Sequence, residues 1–345
     1  MENGAIFDLL KSLKSEVDRR IFEFLPSAHE IPEIDLLYQM MRDYPSRLGK
    51  GLRPGLLLIF NRAFGGVDER ALTTAAALEI FQNWIVIHDD IEDQSDLRRG
   101  LPALHIKHGV PLALNAGDAL AGKMWELLLQ NRGIIGPEMT MAVFDEFLNM
   151  YSHTTAGQHI ELNWVAARKW DLAESDYFEM CRRKTAWYTV ITPCWTGSLI
   201  AGIDMAMRDA FIDFGMDLGV AFQIQDDVLN LAGDINKYGK EIGGDLWEGK
   251  RTLVIIDLLR KCSGKEREFI IGILNKEREK KSQGDIDKVL GFIKRYGCIA
   301  YAAGISQSLA RRAQQTFMDS IDSSADPHYR QVIIDLIDFM VSREL

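Results

Sequence analysis

Proline is scarce in this sequence: there are nine, and none lies between Pro193 and Pro327. That interval leaves room for long helices, because proline breaks a helix interior. Cysteine is scarcer still. Cys181, Cys194, Cys262 and Cys298 are scattered, with no CxxC pair. Neither a disulfide framework nor a thiolate metal site is expected, and the thiols are expected to be reduced, as in a cytoplasmic protein. No stretch reaches about 18 uninterrupted apolar residues, so no membrane span is expected. The N-terminal MENGAIFDLLKSLKSEVD has neither the basic start nor the apolar run of a signal peptide, and the final SREL matches no lipid anchor. Positive charge is in deficit: 40 Lys and Arg stand against 50 Asp and Glu, a net charge of −10. That balance argues against a nucleic-acid binder. Alternation of apolar and polar residues at period two is rare, which argues against sheets.

What is present is helical periodicity. LTTAAALEIFQNWIVI (72–87), MRDAFIDFGMDLGVAFQI (207–224) and YRQVIIDLIDFMVSRE (329–344) space their apolar residues for helices. The expectation is an all-α fold, one domain over residues 1–345, built as a bundle of long helices. SRLGKGLRP (46–54), RRGLP (98–102) and NRGIIGPE (131–138) read as loops. The longest break, 232–252, holds five glycines. A loop of that length in a compact domain is usually functional or disordered. KEREKKSQGDIDK (276–288) reads as a solvated connection.

Two acidic clusters end apolar helical runs: IHDDIED (87–93) and IQDDVLN (224–230). On a helix, residues three and four apart are neighbours, so Asp89 and Asp93 share a face and Asp90 sits beside Asp93. Trp84, Ile85, Val86 and Ile87 precede them, so the carboxylates are expected to be partly buried. Desolvated carboxylates need cations or donors. A divalent ion is the simplest answer, and Mg²⁺ prefers carboxylate, water and phosphate oxygens. Asp226, Asp227 and Asn230, with Asp234 a turn on, repeat the pattern. An EF-hand loop does not fit, because its sixth position would be Gln94 or Ser95 instead of glycine. Each cluster taken singly could also be a solvated helix end.

Cations lie near these clusters or in the glycine-rich breaks: Lys50, Arg53, Arg98, Arg99, Lys184, Lys240 and Lys250. Carboxylates with such a set suggest a metal bridging to phosphate. Taken one at a time, each could equally solvate a helix end.

Together these residues resemble the trans-isoprenyl diphosphate synthase (polyprenyl synthetase) family. The ordered matches are GKGLRP (49–54), Gln82, DDIED (89–93), RRG (98–100), GQ (157–158), KTAWY (184–188), FQIQDDVLN (222–230) and GKEIGGDLWEGKRT (239–252). The resemblance implies a bundle around a deep cavity, a homodimer, and three Mg²⁺ ions per active site, with Mn²⁺ able to substitute. Asp89, Asp93 and Asp226 would bind the ions, with Asp90 and Asp227 supporting. Arg98, Lys184 and Lys240 would hold an allylic diphosphate, with Lys250 a further substrate-binding cation. Lys50, Arg53, Gln82 and Arg99 would bind isopentenyl diphosphate. Thr185 and Gln223 would line the reacting centre, while Glu92 and Asp96 would face elsewhere. His88 reads as a packed helix residue, and Arg343 is a candidate for the family's C-terminal basic contact. Asn230 replaces an aspartate of the second motif, and Val254 stands where many relatives have proline.

The implied activity is prenyl transfer. Metal ions and cations stabilise a leaving diphosphate, and isopentenyl diphosphate attacks the allylic carbocation. Helix rise puts Ile85 and Trp84 roughly 6–7.5 Å below Asp89. A bulky Trp84 would stop the growing chain, and an aromatic at that position resembles the type making the twenty-carbon geranylgeranyl product. Aromatics at both 84 and 85 would favour fifteen carbons. A class I terpene cyclase would carry a different second motif, and a non-catalytic subunit would tend to lose one motif.

Overall fold

The computed structural model describes residues 3–47, 49–232, 243–322 and 325–342. Helices α1 (Asn3–Phe24), α2 (Pro32–Ser46), α3 (Leu52–Ala63) and α4 (Asp68–Glu92) lead into a hairpin of β1 (Leu97–Arg98) and β2 (Leu101–Pro102). Then come α5 (Leu104–His108), α6 (Val110–Leu129), α7 (Pro137–Ala166) and α8 (Glu174–Cys181). A π-helical stretch, Arg182–Ile191, runs into α9 (Thr192–Ala201), followed by α10 (Arg208–Ala232). The remainder is α11 (Gly244–Glu248), α12 (Leu253–Lys261), α13 (Gly264–Leu274), α14 (Gln283–Tyr296), α15 (Cys298–Thr316) and α16 (Pro327–Val341). The all-α expectation holds, and that hairpin is the only sheet among the described residues.

The few prolines mostly start helices. Pro32, Pro111, Pro137, Pro193 and Pro327 sit in first turns, where a missing N–H costs no helical bond. Ser263 and Ser282 each close a capping box, with Glu266 and Asp285 respectively. α4 and α10 are buried on nearly every face, as befits helices at the centre of a bundle. α4 packs on α6, α3 and α1, while α10 packs on α15 and the π-helical stretch. One continuous apolar cluster runs from Ile6 to Val341.

The π-helical stretch is held from two sides by glycines. A Cβ on Gly157 of α7 would lie 2.1 Å from the Lys184 backbone nitrogen, and one on Gly219 of α10 would lie 2.4 Å from the Ala186 Cα. Only glycine permits so close an approach. The widened turn carries Lys184 and Thr185, in keeping with the frequent placement of π-bulges at functional sites.

Two loop expectations change. RRGLP forms the hairpin turn, with Arg99 at φ 53° and Gly100 at φ 75°, the backbone of a two-residue primed turn. The 276–288 segment is not simply solvated. Lys281 is buried and donates to the carbonyls of Leu246 and Trp247 at the end of α11. Burial pushes its ammonium down to about 8. Charge runs look solvated in sequence because nothing local shows the carbonyls that a lysine will meet. No helix among the described residues is long and apolar enough to cross a membrane, and all four cysteines are free.

Candidate active site

Asp89 on α4 and Asp226 on α10 share the wall of one cavity of ≈ 500 Å³. Each is the first aspartate of its motif and each is half-buried. Lys184 Nζ pairs with Glu161 and lies 3.5 Å from Asp89 Oδ1. Burial alone would lower the Lys184 ammonium, but Glu161 and Asp89 hold it above the ordinary range. Lys250 Nζ donates to Asp93 Oδ2 at 2.6 Å and lies 2.8 Å from Glu248.

The second aspartates are both buried, Asp90 outside the cavity lining and Asp227 within it, and each is braced by side-chain partners. Asp90 accepts the Tyr44 hydroxyl at 2.5 Å and the Arg98 guanidinium through both carboxylate oxygens. Tyr44 in turn accepts the Leu104 N–H at 3.2 Å, which fixes the chain after the hairpin. Arg47 pins the hairpin itself by donating to the Arg98 and Pro102 carbonyls, both at 2.9 Å. Asp227 accepts the Tyr177 hydroxyl at 2.6 Å and the Gln223 amide at 2.8 Å. Gln223 Oε1 accepts the Thr185 hydroxyl at 2.6 Å.

Lys50, Arg53, Gln82 and Arg99 all reach the same cavity, together with Glu79. Arg53 donates to Thr189 at 2.9 Å and stacks over the Tyr188 ring, 4.3 Å from its centroid. Arg99 donates to the Tyr44 carbonyl at 2.7 Å. Its left-handed backbone costs of order 1–3 kcal/mol in general, strain of the kind that collects at functional sites. Trp84 and Ile85 also line the cavity. Trp84 stacks on Tyr151 with centroids 5.4 Å apart and meets Phe81 edge-on at 5.3 Å.

Three expectations are corrected. Asp93 does not share the open wall with Asp89: it caps the end of α4 and is buried behind Lys250, which lines the cavity. Glu92 does not face away: it lines the cavity mouth and accepts the Gln158 amide at 2.6 Å. Glu92 is the last residue of α4 and lies three residues from Asp89, so helical spacing itself puts the two on one face, whereas Asp93 is the C-cap, where the chain leaves the helix. Thr185 is buried behind Gln223 and reaches the cavity only through it. Arg98 lines the cavity as expected, but its guanidinium is committed to Asp90 and approaches Asp89 at 3.4 Å. Asp234, Lys240 and Arg343 lie outside the described residues.

Sequence reasoning missed Tyr44, Tyr177 and Glu161. Glu161 was findable, since it lies three residues after Gln158 and so shares its helix face. The tyrosines carried no local signal, because they meet their aspartates across 46 and 50 residues.

Around the two motifs, Asp89, Glu92, Asp93, Glu161, Asp226, Asp227, Asp245 and Glu248 face Arg98, Lys184 and Lys250. Burial pushes Asp93 up to about 8 despite Lys250. Burial, with Asp245 adding, pushes Asp227 well above the carboxylate range. The site is short of positive charge and rich in hard oxygen donors, which fits Mg²⁺. Among the described residues no three acidic or histidine side chains already close into a metal-binding cluster. The donors approach from separate helices with the cavity between them.

Residues 34–293 match the polyprenyl synthetase family model. The chain is 33% identical to the geranylgeranyl diphosphate synthase of Sulfolobus acidocaldarius over 294 residues, 85% of this chain and 87% of that one. Its fold superposes on geranylgeranyl pyrophosphate synthetase from Pyrococcus horikoshii with a TM-score of 0.86 at 30% identity, covering 100% of both chains. Geranylgeranyl pyrophosphate synthase from Corynebacterium glutamicum, solved with isoprenyl diphosphate and magnesium, aligns with a TM-score of 0.83 at 25% identity over 99% of this chain and 98% of that one. The chain belongs to the polyprenyl synthetase family.

Proposed function

We propose that this polyprenyl synthetase is a short-chain trans-prenyltransferase. It joins isopentenyl diphosphate to an allylic diphosphate and makes geranylgeranyl diphosphate as its main product, working as one domain over residues 1–345. The observation that carries this reading is a single cavity with Asp89 and Asp226 in its wall and a separate cation set, Lys50, Arg53 and Arg99, in the same wall. Two anionic substrates need two such cradles.

Asp89 and Asp226 would hold Mg²⁺, three ions per site, with Mn²⁺ a substitute, and Asp93 would join them on release from Lys250. Bound there, the metal would supply Lewis-acid stabilisation of a leaving diphosphate. Lys184, Lys240, Lys250 and Arg98 would hold that allylic diphosphate by charge. Lys50, Arg53, Gln82 and Arg99 would orient isopentenyl diphosphate so that its double bond meets the allylic carbon. Asp90 would act from behind by anchoring Arg98 and the hairpin, and Asp227, in the cavity wall, by fixing Gln223. Phe222, Tyr188 and Trp84 supply aromatic wall, which excludes water from a reactive cation and offers it π-faces. The last proton would leave to the released diphosphate, so no protein nucleophile is required.

The Trp84–Tyr151 stack supports the product assignment, because an indole braced on two sides cannot swing away from a growing chain. The same reading includes a homodimer formed through α6 and α7. Their outer faces expose Leu112, Leu114, Leu148 and Tyr151, more apolar surface than scattered single residues would account for. The test is incubation of purified protein with Mg²⁺, isopentenyl diphosphate and each allylic primer, followed by product-length analysis. A twenty-carbon main product is expected. Failure to consume isopentenyl diphosphate would overturn the activity, and a main product of thirty carbons or more would overturn the role of Trp84.

A further inference from the structure

Glu79 sits on the same face of α4 as Gln82, one turn earlier. It lines the cavity at the end that holds Arg53 and Arg99, yet only 5% of its surface is exposed. Its carboxylate accepts no hydrogen bond and makes no close ion pair among the described residues. Beside it, two buried polar atoms lack partners among the described residues: Gln82 Oε1 and Arg53 Nε. A carboxylate so placed is anomalous, because the neighbouring cations suit an anion and a second negative charge would repel that anion. The charged groups facing Glu79 come from α1 (Lys14 and Asp18), α3 (Arg53) and the hairpin (Arg99). Burial raises the carboxyl above its ordinary range even with Arg99, Lys14 and Arg53 pulling it down. An arriving diphosphate would engage those cations and remove their pull.

We propose that Glu79 is a further diphosphate-binding residue, which meets the isopentenyl diphosphate headgroup as a carboxylic acid and donates a hydrogen bond to a phosphate oxygen. The proton comes from solvent, so binding takes up one proton at this residue. The acid form resolves the anomaly: it removes the repulsion, and it turns an acceptor with no donor into a donor beside phosphate acceptors. The inference rests on the assignment of this cavity end to isopentenyl diphosphate.

The test compares wild type with Glu79→Gln and Glu79→Asp, each checked for a native circular-dichroism spectrum. KM for isopentenyl diphosphate is measured from pH 6.5 to 8.5, and binding of isopentenyl diphosphate is followed calorimetrically in buffers of different ionisation enthalpy. The ionisation of the ligand itself is common to all variants and cancels in the comparison. The wild-type KM, relative to that of Glu79→Gln, is expected to rise with pH, approaching about tenfold per unit once the carboxyl ionises. Proton uptake is expected to be larger in wild type than in Glu79→Gln, and Glu79→Asp is expected to restore the pH dependence. Equal proton uptake and parallel KM profiles would overturn the proposal. So would a Glu79→Gln enzyme whose KM is raised more than about tenfold at every pH, because the negative charge and not the proton would then be what the site needs. If wild type neither binds nor consumes isopentenyl diphosphate, the assignment of the cavity end fails instead.

Discussion

The two aspartate motifs are near copies in sequence and differ in how the fold completes them. Each turns its first aspartate to the cavity, Asp89 and Asp226, and buries its second. Each buried aspartate accepts a tyrosine hydroxyl, from Tyr44 for Asp90 and Tyr177 for Asp227. The remaining partners differ. Asp90 faces the guanidinium of Arg98, whereas Asp227 faces the neutral amide of Gln223. The first motif lies where α4 ends and the chain turns into a strained hairpin, so a charge pair ties that turn to the helix. The second lies inside α10, whose backbone needs no such tie, and the hydrogen bonds of Asp227 run instead to Tyr177 on α8 and to Gln223 on its own helix, which in turn accepts Thr185 of the π-helical stretch. Similar motifs thus do different structural work while presenting the same group to the cavity.

If the first aspartates are equivalent, Asp89→Ala and Asp226→Ala should each lower turnover by at least about a thousandfold, the upper range for losing one electrostatic stabiliser. Thermal unfolding should stay close to wild type in both. Near-normal activity in either would break the equivalence. The second aspartates should separate on stability. Asp90→Asn removes the carboxylate that the half-buried Arg98 grips through both oxygens and should cost about 3 kcal/mol in denaturant unfolding. Asp227→Asn exchanges one carboxylate oxygen for an amide donor that the Tyr177 hydroxyl can turn to accept, and should cost no more than about 1 kcal/mol. Equal losses would mean that the two buried sites are the same after all. Gly157→Ala tests how the second motif's partner helix is held. Its methyl would press on the Lys184 backbone, and overpacking of this kind costs about 1–3 kcal/mol. Turnover should fall with it because Lys184 moves; a fully active Gly157→Ala enzyme would show that the close approach is dispensable. The smallest effect is on product and not on rate. Trp84→Ala should lengthen the main product by one or two five-carbon units, read by chromatography of the dephosphorylated products, and an unchanged product would remove Trp84 as the stop.

Much of this site was legible because its residues are local in sequence. Asp89 with Ile85 and Trp84, and Asp226 with Gln223, lie within helical turns, and a turn is a distance that sequence spacing measures. Legibility failed where the helix stopped. Asp93 left its expected place because it is the C-cap of α4 and meets Lys250 there, while Glu92, three residues from Asp89 inside the helix, faces the cavity as helical spacing requires. It failed again wherever a partner came from far along the chain, as with Tyr44 on Asp90 or Lys250 on Asp93, 157 residues apart.

The sequence by itself determined the helical class, the family motifs and most of the charged residue types that line the cavity, because periodicity and short-range spacing are properties of the chain alone. Only the tertiary structure decided which aspartates stay open, which cations are committed to carboxylates, and that Glu79 makes no close ion pair among the described residues although Arg53 and Arg99 flank it. Those outcomes depend on desolvation and on contacts between distant helices, and neither exists until the bundle has packed.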